Sequence, residues 1–204
     1  MKRNRITVSF VGVFEVPQTM IPQLDSNFCK NIFGTPESTV ASITPAGFII
    51  KHKVYSAPVV AITPQKIIVG AQDLEKLEKY IVALKEKLPE YDFAAYGLNQ
   101  ELEWLDLPMS ANKWMFQRFI QPKFALNDED QVFCGKLNLQ YVISDKERLL
   151  LDFEPRNNID NGLFLSVNHH NQYLISGFPN VDRLKELFTS SEAKLSFYLE
   201  ELVN

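Results

Sequence analysis

Alternating apolar and polar residues predict most of the strands of this chain. Most even positions of residues 6–16 and 93–104 carry apolar side chains, and residues 137–143 and 148–154 alternate on either side of a short turn, as a hairpin does. Two Ile-Thr-Pro sequences divide the region between positions 38 and 70, because proline cannot donate to a strand ladder. We expect four strands there, near residues 39–44, 47–55, 58–63 and 66–69.

Apolar residues at helical spacing predict the helices. The clearest begins after Asp73, an N-cap residue, and places a leucine-rich face on positions 74 to 88. Another begins after Asn180 and runs to the last residues, with a kink or interruption expected near position 190. Two shorter helices are expected, one from a cap at Thr19 to residue 32 and one after Ser110.

These elements follow the order strand, helix, strands, helix, and the order occurs twice. We therefore predict an α+β fold of two successive strand–helix–strands–helix units, with an antiparallel sheet and helices packed on one of its faces. The units are residues 1–89 and 90–204, and the short linker at Pro89-Glu90 favours one rigid body. Two arrangements stay open: one curved sheet shared by both units, similar in fold alone to the saddle of TATA-binding-type proteins, or two separate domains.

Composition and charge narrow the classes of function. The apolar fraction of 46% and charged fraction of 23% are typical of soluble globular proteins. A net charge of −4 disfavours a nucleic-acid partner, because phosphate binding needs a concentrated basic surface. The basic, apolar start indicates a first strand instead of a signal peptide, because Thr7 and Ser9 interrupt the apolar run. With two distant cysteines and no apolar run of ~20 residues, we expect a cytoplasmic protein with no membrane partner.

Residues 168–171, Asn-His-His-Asn, contain the first candidate site. Successive residues of a strand point to opposite faces, so these two histidines cannot both ligate one metal ion. His170 shares a face with Asn168, and Asp152 or Glu154 is expected on a neighbouring strand, where a carboxylate beside imidazole serves metal binding or general base catalysis. A hairpin tip flanked by asparagines explains the same residues without any function. The functional reading requires a carboxylate within hydrogen-bond reach of His170.

A basic cluster is the second candidate site. One hypothesis is that Lys51 and Lys53, with the basic N-terminal residues, form a patch for an anionic ligand. The other is that they are ordinary surface charges on an exposed strand face. The chain has no GxGxxG and no GxxxxGK[ST], and its serine, threonine and aspartate residues are too scattered to propose a triad. We therefore predict no catalytic residue, no metal site and no cofactor.

The absence of a catalytic motif favours a non-enzymatic binding or protein-interaction module, with a second copy or another protein as partner. Open sheet faces and edges readily pair with other chains. Two alternatives remain open: a small-ligand-binding or hydrolytic enzyme with a polar cleft near His170, and a nucleic-acid-binding saddle with a basic sheet face. We expect the function on the sheet face or loops opposite the leucine face of the helix after Asp73, whereas the enzyme alternative places its pocket between the sheet and the helices.

Overall fold

The computed structural model describes residues 2–22, 24–34, 39–44, 47–52, 58–120 and 135–199. The strands in these ranges are β1 (Lys2–Phe14), β2 (Thr39–Thr44), β3 (Gly47–His52), β4 (Pro58–Ile62), β5 (Lys66–Ala71), β6 (Asp92–Leu105), β7 (Leu137–Ser144), β8 (Glu147–Pro155), β9 (Leu163–Asn171) and β10 (Ile175–Ser176). The helices are α1 (Ser26–Phe33), α2 (Leu74–Lys85), α3 (Ala111–Met115) and α4 (Val181–Leu199), and a π-helical segment (Phe116–Ile120) follows α3.

All these strands belong to one antiparallel sheet. The order is β2-β3-β4-β5-β1-β6-β9-β8-β7, and β10 pairs with the end of β6. The predicted α+β class and antiparallel sheet are confirmed. The boundary expected at residues 89 and 90 falls between α2 and β6, and the sheet continues across it through the pairing of β1 with β6.

A bulge in β1 changes which side chains face the helices. Even-numbered residues of β1 from Val8 onward are buried on the helix side, but the register with β6 shifts between Arg5 and Thr7. An inserted residue reverses the alternation beyond it. Arg3 and Arg5 therefore turn to the helix side, where their guanidinium groups contact the Glu192 carboxylate of α4 at 2.8 and 3.0 Å. The bulge thus ties the first strand to the last helix.

The helix ends are set by side-chain caps, and one of them corrects the sequence prediction. Asp73 accepts a hydrogen bond from the Lys76 N–H at 2.8 Å, as expected for the start of α2. The first helix begins after Asp25, which accepts from the Phe28 N–H, so the expected cap at Thr19 is wrong. α4 follows its Asn180 cap and is one continuous helix, without the expected interruption.

Two hydrophobic clusters lie between the sheet and the helices. One gathers side chains of α1, α2 and the first half of α4, and the other gathers those of α3 and the second half of α4. A polar layer separates the clusters: on β6 the buried Gln100 lies between Leu98 and Leu102, and on α4 the buried Ser191 lies between Leu187 and Leu195. No helix among the described residues is long and apolar enough to cross a membrane.

Candidate functional site

The sheet face opposite the helices carries a row of polar side chains across five neighbouring strands. The strand register aligns Thr7, Glu101, Ser166, Asp152 and Asn138 on β1, β6, β9, β8 and β7. Side chains at the same level of paired strands point to the same side of the sheet. We call this set the carboxylate row, because its second and fourth members are acidic.

A second row lies next to the first on the same face. Here the register aligns Ser9, Asn99, Asn168, Leu150 and Gln140 on the same five strands. Three of the five side chains are amides, so we call this set the amide row. Each member stands two residues along its strand from a member of the carboxylate row, which places the rows ~7 Å apart.

The two rows border a cleft of about 540 Å³. This volume is within the range of roughly 300–1,000 Å³ that is common for small-ligand sites. Its lining consists of four amides, two carboxylates, two serine hydroxyls and two leucines, with no lysine or arginine: Ser9, Asn99, Glu101, Asn138, Leu139, Gln140, Leu150, Asp152, Ser166 and Asn168. The cleft is therefore polar and rich in hydrogen-bond acceptors.

Both carboxylates of the cleft already hold a neighbour from the sheet. Glu101 Oε2 accepts from the Thr7 hydroxyl at 3.1 Å, and Asp152 accepts from the Asn138 amide. The Lys136 ammonium lies 3.8 Å from Asp152 but is bonded to Glu154, outside the cleft. Glu101 and Asp152 sit on strands two apart, so their backbones are separated by ~10 Å. Each retains acceptor capacity, because an ionised carboxylate has about four lone-pair positions.

The amide oxygens at the centre of the cleft have no hydrogen-bond partner. Asn99 Oδ1 and Asn168 Oδ1 are both buried and unpaired among the described residues. Gly97, two residues before Asn99 on β6, keeps the space beside Asn168: a Cβ there would lie 3.1 Å from Asn168 Oδ1 and 3.0 Å from the His169 carbonyl oxygen. A small adjoining cavity of about 70 Å³ contacts both asparagines.

The structure separates His170 from the carboxylates expected beside it. β9 continues through Asn171 with partners on both sides, so the hairpin tip expected at residues 168–171 is wrong. His170 lies opposite Arg148 on β8, whereas Asp152 lies opposite Ser166, ~13 Å farther along the sheet. Burial and the Arg148 charge lower the pKa of His170 from its ordinary 6.5. It stands at the margin of the cleft, next to the small cavity.

The remaining candidates divide between two regions. Asn168 and Asp152 both line the cleft, while Glu154 forms an ion pair with Lys136 beside it. Lys51 is exposed on β3, five strands away from β9 in the sheet order, which is a distance of ~24 Å. Lys53 lies outside the described residues. The structure therefore brings Asn168 and Asp152 together in the cleft, with His170 at its margin, Glu154 beside it and Lys51 apart.

A serine–histidine–glutamate array on the helix side was not anticipated from sequence. His169 Nε2 lies 2.7 Å from Glu147 Oε1, and its Nδ1 lies 3.3 Å from both Ser191 Oγ and the Leu187 carbonyl oxygen. Arg183 adds a hydrogen bond to Asn171 at 3.0 Å and approaches Glu147 at 3.5 Å. The sequence indicates this array only by position: His169 lies on the apolar face of its strand, and Ser191 lies on the apolar face of its helix.

This array holds α4 on the sheet and does not present a nucleophile. Its order is that of a hydrolytic triad, but His169 is 1% and Ser191 0% exposed, and the Ser191 hydroxyl donates to the Leu187 carbonyl at 2.8 Å. A substrate carbonyl cannot reach that oxygen while α4 is in place. The described residues also hold no group of three or more histidine, cysteine or acidic side chains arranged for a metal ion.

Comparison with models of protein families and with curated proteins found no match for this chain. Geometry and charge at the cleft therefore carry the functional argument.

Proposed function

We propose that this chain is a non-enzymatic binding module that takes a polar ligand in the cleft of its open sheet face. The observation that carries the proposal is the pair of adjacent polar rows, in which side chains from five strands border one cleft of about 540 Å³. Polar side chains that water covers on a strand face cost little folding free energy. Buried oxygens without a hydrogen-bond partner, such as those of Asn99 and Asn168, reduce the stability of the fold. A ligand that supplies donors removes that cost.

The groups around the cleft support binding more than catalysis. The acidic side chains are engaged by Thr7 and Asn138, and His170 faces Arg148 instead of a carboxylate. A general base needs a partner that orients it and a path to the proton that it removes. Among the described residues of this face, no serine, threonine or cysteine is hydrogen-bonded to a histidine.

The charge of the lining weighs against the nucleic-acid alternative. Two carboxylates and no cationic side chain border the cleft, whereas phosphate binding depends on neutralising lysine and arginine residues. A basic sheet face, which the saddle hypothesis requires, does not match this lining.

The proposal that the two halves are duplicated units is supported by the sheet order. From the centre outwards the first half runs β1, β5, β4, β3, β2, and the second runs β6, β9, β8, β7. In both, the first strand is central and the later strands follow in reverse order. Duplication also fits the TATA-binding-like saddle. Superposition of residues 2–85 on residues 92–199 in a crystal structure would test the duplication. Poor overlap of β1 with β6 would count against it.

Nuclear magnetic resonance tests the binding function directly. We expect at least one of four probes (butylguanidinium, butylurea, spermidine and maltose) to shift the side-chain amide signals of Asn99 and Asn168 in ¹⁵N-labelled protein. Asn168→Ala should abolish the shifts of the remaining cleft signals, while Asn31→Ala, on the exposed surface of α1, should preserve them. If no probe moves these signals, or if Asn168→Ala leaves the shifts intact, the binding function is wrong.

A further inference from the structure

We infer that the ligand of the cleft is a guanidinium group on an alkyl stem. This inference rests on the proposed function, since it names the chemistry of the same cleft. Three features of the lining lead to it: the sign of its charge, the excess of acceptors over donors, and an exposed leucine, Leu150, beside the polar groups.

The charge of the lining selects a cation. Glu101 and Asp152 border the cleft and Glu154 lies beside it. The Lys136 ammonium forms ion pairs with both Glu154 and Asp152, so it offsets at most one of these three negative charges. Binding an anion here would place like charges together in a partly desolvated site, which costs affinity. A monocation placed between two carboxylates ~10 Å apart gains from both.

The hydrogen-bond inventory selects a group with several N–H donors. The lining contains two carboxylates with unused acceptor capacity, and the buried amide oxygens of Asn99 and Asn168 have no hydrogen-bond partner among the described residues. The terminal torsion of an asparagine is soft, so either amide can turn its oxygen toward a donor at small cost. A guanidinium carries five N–H donors in a plane and no acceptor, whereas an ammonium carries three. The planar group can therefore satisfy acceptors in both rows at once.

The apolar part of the lining suits the stem of such a ligand. Leu150 stands in the amide row between Asn168 and Gln140, and it is 37% exposed although it is a large aliphatic side chain. The methylenes of an arginine-like chain bury themselves on aliphatic surface while the charged head remains among polar groups. A cleft of about 540 Å³ accommodates both parts.

Calorimetric titration with matched charged and neutral probes tests the inference. Butylguanidinium and butylurea have the same shape and differ in charge, and so do the blocked tripeptides Gly-Arg-Gly and Gly-citrulline-Gly. We expect each charged probe to bind at least tenfold more tightly than its neutral counterpart. If the Gly-Arg-Gly tripeptide binds more tightly than butylguanidinium, the natural ligand is an arginine side chain of a protein. If butylguanidinium binds more tightly, it is a free small molecule.

Variants of the acidic residues separate charge recognition from folding. Glu101→Gln and Asp152→Asn should each weaken butylguanidinium binding at least fivefold while leaving the melting temperature within a few degrees. Glu103→Gln is the matched control: it lies on β6 two residues from Glu101, but its carboxylate is bonded to Arg156 at 2.8 Å and does not line the cleft. Its affinity should stay within twofold of the wild type.

The outcomes distinguish this inference from the binding function on which it rests. If butylurea or maltose shifts the cleft signals and the charged probes bind no more tightly, the guanidinium assignment is overturned and the binding function stands. Equal losses of affinity in Glu101→Gln and Glu103→Gln would also overturn the assignment. If none of the probes binds, both are overturned.

Discussion

Replacing Gln100 by methionine should stabilise the protein, because the present side chain is buried without hydrogen bonds. Gln100 is 0% exposed, and neither its Nε2 nor its Oε1 has a partner among the described residues. It lies between Leu98 and Leu102 on the helix side of β6, at the junction of the two hydrophobic clusters. Methionine has nearly the same length and volume, so it removes the amide without opening a cavity.

The size of the effect follows from the cost of burying an unpaired amide. Leaving a buried donor or acceptor unsatisfied costs roughly 1–3 kcal/mol. Because small repacking costs offset part of this gain, we expect Gln100→Met to raise the free energy of unfolding by about 1–2 kcal/mol. For a chain of 150–250 residues, each kcal/mol corresponds to ~2–4 °C in melting temperature.

Urea denaturation followed by tryptophan fluorescence measures the change. Trp104 and Trp114 pack edge to face in the second cluster and report its unfolding. Gln65→Met is the control, since Gln65 is exposed and its replacement should change stability by less than ~0.5 kcal/mol. A loss of ~1 kcal/mol or more in Gln100→Met, at unchanged m-value, would refute the reasoning and assign the amide a hydrogen-bonding role.

Two further predictions concern a titration and the assembly state. His170 should titrate below 6.5 in a proton NMR series, and Arg148→Gln should raise its pKa only in part, because burial is the larger cause. Between the native pKa and 6.5 the native state binds fewer protons than the unfolded state, so the free energy of unfolding rises with pH in that range and this stability is lost as pH falls through the native pKa. A native pKa of 6.5 or above would contradict the prediction. Light scattering should find an oligomer, since Val142 and Ile143 on β7, an edge strand of the sheet, are 60% and 40% exposed, and a strict monomer would count against it.

Period-two and helical patterns predicted elements whose buried face is long and regular. β6 and α2 matched the expected positions because each carries apolar residues along one face, which on β6 is interrupted by Gln100. The first helix was misplaced because Ile21 and Leu24 pack into the first cluster from the segment before it. Apolar residues at helical spacing can thus fill a core without forming a helix. The Asp25 side chain, which bonds to the Phe28 N–H, sets the actual start.

The candidate site could be predicted only in part, because it depends on the pairing register of the strands, which a single sequence specifies weakly. Alternation correctly placed His169 and His170 on opposite faces, as their different partners show. It could not tell that His170 stands opposite Arg148 and that Asp152 stands opposite Ser166, because β9 pairs with β6 and β8 in an order that chain sequence does not reveal. The same limitation concealed the two polar rows.

The cleft and the buried polar layer are built on opposite faces of the same two strands. Asn99 adjoins Gln100 on β6, and Asn168 adjoins His169 on β9, so each unpaired cleft amide has a buried polar neighbour behind it. The His169–Glu147 contact and its link to α4 fix the strands from the helix side, which holds both rows in place before any ligand arrives. A preorganised site spends less of its interaction energy on ordering side chains. The side-chain amide of Gln100 has no hydrogen-bond partner in the part of the chain that the structure describes, so its replacement should change stability and leave probe binding at the cleft unchanged.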